Sequence, residues 1–91
     1  MANHASAIKR AKQSEKRRIR NRSRKTRMKN VIKNLEEALA SNSPERASET
    51  LKEAISVIDT TAQKGVIHKN KASRKISRLT HRVNNLLQAQ G

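Results

Sequence analysis

The sequence predicts an all-α protein, an up-down-up bundle of three helices from which a long basic N-terminal helix projects. Three observations predict it. Apolar residues recur at the three-and-four spacing of a helix face in three separate stretches. Helix punctuation, including the only Pro and one of the two Gly, falls between those stretches. The chain has no aromatic residue and no alternating segment from which to build a sheet.

The first helix is expected over about 5 to 41. Its second half carries the stripe Met28, Val31, Ile32, Leu35, Ala38 and Leu39, and Asn42 is the stop. Its first half has only Ile8, Ala11 and Ile19 among charges on every side. A helix polar all round needs something else to cover it, so this arm is expected to be largely disordered alone and helical on a partner. The second helix, about 44 to 64, opens on Ser43-Pro44-Glu45: an N-cap, a Pro where the missing N–H costs nothing, and an acid in the first turn. Its stripe is Ala47, Leu51, Ala54, Ile55, Ile58 and Ala62. Lys64-Gly65 ends it, with Gly free to take the left-handed conformation and Val66 and Ile67 beneath as an apolar plug. The third helix, about 69 to 88, carries Ala72, Ile76, Leu79, Val83 and Leu86. Ile55 and Leu79 are read as core.

The 91 residues allow a single domain, made of a basic arm (1–27) and a bundle (28–91). The second helix is shorter than the first, so an arm of roughly 25 Å should overhang. Short connections make successive helices antiparallel neighbours. The third helix then starts at the end from which the arm projects, and residues Lys64–Lys75 lie beside the arm's base.

Charge is laid out in the same three blocks. There are 22 Lys and Arg against 7 Asp and Glu, a net +15. Residues 1–30 carry +11, residues 31–63 carry −3 and residues 64–91 carry +7 with no acid at all. On so small a body this creates strong self-repulsion unless a polyanion is present, so nucleic acid is the first partner to expect. An ordinary charge run is a solvated face, but +11 on a helix with little core of its own calls for a partner. Arg gives bidentate phosphate contacts, while the interspersed Asn and Ser can reach phosphate oxygens or 2′-hydroxyls. Without Phe, Tyr or Trp there is no platform for splayed bases, so recognition is expected to be of backbone and folded shape.

Other classes fit less well. With no Cys there is no disulfide framework, thiolate nucleophile or Cys-based zinc site. No apolar run approaches the roughly 20 residues that cross a bilayer, and the arm has too little apolar face to lie in one. The start, MANHASAIKRAKQ, lacks the apolar region of a secretory signal, and its basic run continues into the body of the chain, so it is read as mature protein. His4, His68 and His81 show no ligand spacing, Asp59 is the sole Asp, and no Gly-rich phosphate loop exists. Neither catalytic nor metal residues, and no cofactor, are expected. Glu36, Glu37, Glu49 and Glu53 are read as solvated, with Arg46–Glu49 or Glu49–Lys52 paired by helix spacing. The basic run before Val31 and Leu35 is like the entry to a leucine zipper, but heptads from Leu35 reach Asn42 and Glu49, and Pro44 breaks the helix. A homeodomain-like module needs an aromatic core that this chain lacks. Nonspecific DNA compaction is the second reading, and a helical bundle for an acidic protein partner the third.

Two stretches carry a family resemblance. The opening Met1-Ala2-Asn3, then Ser6-Ala7 and Lys9-Arg10, is one. The run Ala62-Gln63-Lys64-Gly65-Val66-Ile67-His68-Lys69-Asn70-Lys71-Ala72-Ser73-Arg74, followed by Ser77-Arg78-Leu79, is the more specific. Together they resemble the bacterial small-subunit ribosomal proteins of the S-twenty family over essentially the whole chain. Residues 33 to 61 match in pattern only, and His4 stands where that family has an aliphatic or basic residue. The resemblance implies a structural, non-enzymatic protein of the cytoplasmic ribosome. It implies direct and early binding to the 5′ domain of small-subunit (16S) ribosomal RNA and against its long penultimate helix, with no membrane and no homo-oligomer. Carried over position by position, the implied RNA contacts in the arm are Asn3, Ser6, Lys9, Arg10, Lys16, Arg17, Asn21, Arg22, Ser23 and Lys25. Near the third helix they are Lys64, His68, Lys69, Asn70, Lys71, Arg74 and Lys75.

Overall fold

The computed structural model describes the backbone of residues 2–90 and the side chains of residues 5–89. Three helices follow in order, α1 (Ala2–Ala40), α2 (Pro44–Gln63) and α3 (Lys69–Gln90), and no strand occurs among the described residues. The chain reverses at both connections. α2 packs closely against α1 and α3, and those two stand further apart, meeting through the shared core and the Arg82–Glu36 ion pair. The molecule is a rod 70 Å long and 22 × 14 Å across, because α1 is 39 residues and α2 only 20.

Both turns are closed by the same device. Asn42 takes a left-handed φ of 53°, its N–H donates to the Leu39 carbonyl at 3.1 Å, and the Ser43 N–H donates to the Ala38 carbonyl at 3.2 Å. After α2, Gly65 takes φ 75°, its N–H donates to the Ala62 carbonyl at 2.9 Å, and the Val66 N–H reaches the Thr61 carbonyl at 3.1 Å. These are paired Schellman bonds, which satisfy carbonyls that a helix end would otherwise leave open. A Cβ on Gly65 would meet nothing within 4 Å, so its backbone conformation, not crowding, calls for glycine. Ser43 stands at the N-cap of α2 as expected, in extended conformation before Pro44, but its hydroxyl makes no cap bond. Its carbonyl still takes the first helical bond, from the Ala47 N–H at 2.9 Å.

The core sits under the second half of α1. Leu35 and Ala38 from α1, Ala54 and Ile58 from α2, and Val83 from α3 are buried, with Met28, Val31, Ala72 and Leu79 close to it. Ile67 closes the bottom, as the apolar plug expected there. Ile55 is corrected: it is half-buried, because the buried stripe of α2 runs through Ala47, Ala54, Ile58 and Thr61, and Ile55 lies about 100° round the helix from Ala54. Val57 and Thr61 are buried in its place; the Thr61 hydroxyl donates to the Val57 carbonyl at 2.7 Å and so enters the core satisfied. Neither Arg46–Glu49 nor Glu49–Lys52 pairs. Among the described residues the ion pairs are Arg18–Glu15 at 2.7 Å and Arg82–Glu36 at 3.5 Å, both exposed and contributing little to stability.

The arm differs from its expected disorder: α1 is helical from its start, although the side chains of residues 5–20 are all exposed. The reason is local. Lys, Arg, Ala and Gln dominate the segment and are strong helix formers, so the helix continues without tertiary cover. Helix held by backbone bonds alone opens readily, and amide exchange on the free protein should show much weaker protection at Lys9–Arg24 than at Leu51–Ile58. Equal protection would mean that the arm has support the structure does not show. Ile58→Ala should cost about 2–5 kcal/mol and Ile55→Ala clearly less; circular-dichroism melts with equal losses would contradict the burial assigned here.

Candidate nucleic-acid interface

The stripe that builds the core does not stop where the bundle stops. Leu35, Val31 and Met28 continue down the same face of α1 as Arg24, Asn21 and Arg17, at alternating four- and three-residue steps. Within the bundle this face is covered by α2 and α3; in the arm it is open and its residues become cationic or amide-bearing. Asn21 and Arg24, at the junction, are half-buried, and residues 5–20 below them are exposed. Arg17, Asn21 and Lys25, spaced by four, line one shallow hollow together with Ser14, Arg18 and Arg22.

Lys25 also belongs to a second hollow, a cleft between α1 and α3. Lys29, Ile32 and Lys33 line it from α1, Lys71 and Lys75 from α3, and Met28 and Ile67 form an apolar floor. Lys71 and Lys75 then share the outer face of α3 with Arg74 and Arg78. The two basic segments therefore meet, as the short connections required: the turn at Gly65 returns the chain to the arm's base, and α3 runs alongside α1. The result is one cationic surface from Arg17 through the cleft to Arg78. The exposed acids Glu45, Glu49, Glu53 and Asp59 lie on α2.

The expected contact residues divide by place. Arg17, Asn21, Arg22, Lys25, Lys71, Arg74 and Lys75 are drawn together on this surface. Ser6, Lys9, Arg10 and Lys16 stand exposed on the free arm, and the side chain of Asn3 lies outside the described residues. Ser23 lines a separate hollow with Arg27 and Glu53 of α2. Lys64, Lys69 and Asn70 are exposed at the α2–α3 corner. His68 is partly committed to structure: its Nδ1 accepts the Asn70 N–H at 3.1 Å, and its carbonyl accepts the Ala72 N–H at 3.1 Å, so it caps α3. Only its Nε2 is left to meet a ligand. Lys29, Lys33 and Arg78, outside the expected set, line the same surface; Lys29 and Lys33 follow Lys25 at successive four-residue steps and Arg78 follows Lys75 by three, which was the signal for them.

Many cations, amides and hydroxyls on a continuous face can neutralise phosphates and fix a backbone, and they carry no base-reading platform. Among the described residues no cluster of His, Asp or Glu could hold a metal, and no helix is long and apolar enough to cross a membrane.

Comparison with known proteins gives this surface its setting. The family model for ribosomal protein S20 matches residues 2–84. The small ribosomal subunit protein bS20 of Syntrophobacter fumaroxidans is 73% identical over 86 residues, 94% of this chain and 100% of that protein. The protein of the same name from Desulfotalea psychrophila is 55% identical over 89 residues, 98% of this chain and 100% of its own length. That of Desulfatibacillum aliphaticivorans is 54% identical over 83 residues, 91% of this chain and 94% of its own. A helical rod with one cationic face, matched over nearly its whole length by these proteins, belongs to the ribosomal protein S20 family.

Proposed function

We propose that this chain is a structural constituent of the small subunit of the cytoplasmic ribosome that binds 16S ribosomal RNA directly and stabilises its folded packing through phosphate and shape contacts. It is not an enzyme. The observation that supports this best is the meeting of the arm's Arg17–Asn21–Lys25 line with Lys71 and Lys75 of α3 on one surface. Convergence from two ends of the chain concentrates the field where RNA strands approach each other. The chain acts as one domain in two parts: the arm, 1–27, threads between phosphates, and the bundle, 28–91, anchors and aims it. The contacts are carried by Asn3, Ser6, Lys9, Arg10, Lys16, Arg17, Asn21, Arg22, Ser23 and Lys25 in the arm. Around α3 they are carried by Lys64, His68, Lys69, Asn70, Lys71, Arg74 and Lys75, and Lys29, Lys33 and Arg78, which line the same surface, extend the set.

Phosphate neutralisation alone makes any polyanion a ligand, and its affinity falls steeply with salt. Shape recognition adds a term that salt does not remove. Binding of the purified chain to protein-free 16S ribosomal RNA and to random duplex DNA across a salt series separates the two. The RNA complex should persist at salt that dissociates the DNA complex, and should saturate at one protein per RNA. Coincident curves without saturation would reduce the chain to a nonspecific polyanion binder.

A further inference from the structure

The cationic surface occupies one side of the arm, and the other side has a different character. Ile8 and Ile19, the exposed large apolar residues of α1, are 11 residues and so about 20° apart around the helix, and Thr26 falls on the same line. Arg17 and Asn21 stand on the opposite side. Within about 40° of the line, residues 5–30 hold a single cation, Lys12, offset by Glu15, the only acid of residues 1–30. The strip is thus neutral, and it runs about 27 Å from Ile8 to Thr26 within a block that carries +11. Thr26 and Asn30 carry it into the hollow that Ser23 and Glu53 of α2 also line. Cations flank it at about 50–90° on both sides: Lys9, Lys16 and Arg27 on one, Arg18, Arg22 and Lys29 on the other.

What the strip offers is acceptors. The Thr26 hydroxyl donates to the Arg22 carbonyl at 2.9 Å, so its hydrogen is spent and its exposed oxygen can only accept. Glu15 holds the Arg18 guanidinium at 2.7 Å through one oxygen and has a second that likewise only accepts. Phosphate oxygens are acceptors too, so a phosphate laid against Glu15 and Thr26 would find no donor there. Duplex RNA presents the complement: a wide, shallow minor groove that displays 2′-hydroxyl donors and ribose, with a line of phosphates on each side. We propose that the strip seats the arm in the minor groove of duplex RNA, with Glu15 and Thr26 accepting from 2′-hydroxyls, Ile8 and Ile19 packing on ribose, and the flanking cations reaching the two phosphate lines. The class of polymer rests on the RNA-binding reading; the groove rests on the strip. DNA has no 2′-hydroxyl, so the strip lets the arm tell RNA from DNA, which phosphate contacts alone do not.

A 2′-fluoro duplex keeps the A-form and every phosphate and lacks only the 2′ donor. The full-length chain should bind a short RNA duplex about tenfold more tightly than the 2′-fluoro duplex of the same sequence, with one salt slope for both. E15A/T26V removes both acceptors and should bring the two affinities within about twofold of each other; reading the variant against the parent cancels any intrinsic difference between the duplexes. E15Q/T26S returns an acceptor to each position and should restore the ratio. R10Q/R17Q, on the opposite side of the arm, should weaken both complexes, lower the salt slope by about 2 and leave the ratio in place. Equal binding of the parent to the two duplexes, the result expected of a strip that meets a protein, would overturn the proposal. So would a ratio that survives E15A/T26V, whose lost negative charge would then tighten both complexes. If either result comes with 16S ribosomal RNA still held at salt that frees random duplex DNA, the RNA-binding reading stands without the strip. A ratio abolished by E15A/T26V, in a chain with no such preference for 16S ribosomal RNA, would keep the strip and sink that reading.

Discussion

Repulsion among 22 cationic side chains is the constraint on which the rest of this structure depends. A small apolar core cannot hold a uniformly basic body together, so the charge is segregated. Apart from Glu15 the acids are gathered on α2 and the end of α1, and the helix that packs most closely against both neighbours is the acidic one. The cations are displaced to the arm, where they add no strain to a core, and to the outer edge of α3. Stability and polarity come from the same arrangement: the helix that cements the bundle is also the helix that carries most of the acidic charge.

The fold was legible because its signals are local. The three stripes, Pro44 at the head of α2 and Gly65 past its end each answer to helix geometry or backbone sterics within a few residues, and each stands where the sequence places it. What was not legible depends on neighbours. Ile55 fits the apolar period as well as Ile58 does, and only the direction from which α1 and α3 approach α2 decides that one is buried and the other half-exposed. Thr61 reads as polar, yet its hydroxyl is satisfied by its own helix and it packs as if apolar.

The site shows the same division. That two basic segments converge follows from connection length alone, whereas the partition of their residues does not. His68 illustrates the difference: it sits in the stretch most specific to the family, and its position invites a purely RNA-binding reading, but one of its nitrogens is spent on capping α3. Part of what makes such a stretch distinctive is then the need to start a helix beside two lysines, with contact to a partner layered on that need. Conversely, Lys29 and Lys33 look like solvated positions of a bundle helix until α3 is set beside them.

The arm and the bundle share one unbroken helix, and that continuity acts as a gear. Each residue of α1 turns the chain by about 100° and advances it 1.5 Å, so the direction in which Arg17 and Asn21 face is geared to the cleft through the residues between Asn21 and Met28. A single insertion or deletion there would swing every arm side chain a quarter-turn or more away from Lys71 and Lys75, even with each arm residue retained. A seven-residue change would restore the facing to within about 20° while sliding the arm along its axis. Spacing across this junction therefore matters more to the alignment of arm and cleft than the identity of any one arginine, since a lost cation removes one charge and a lost register redirects them all.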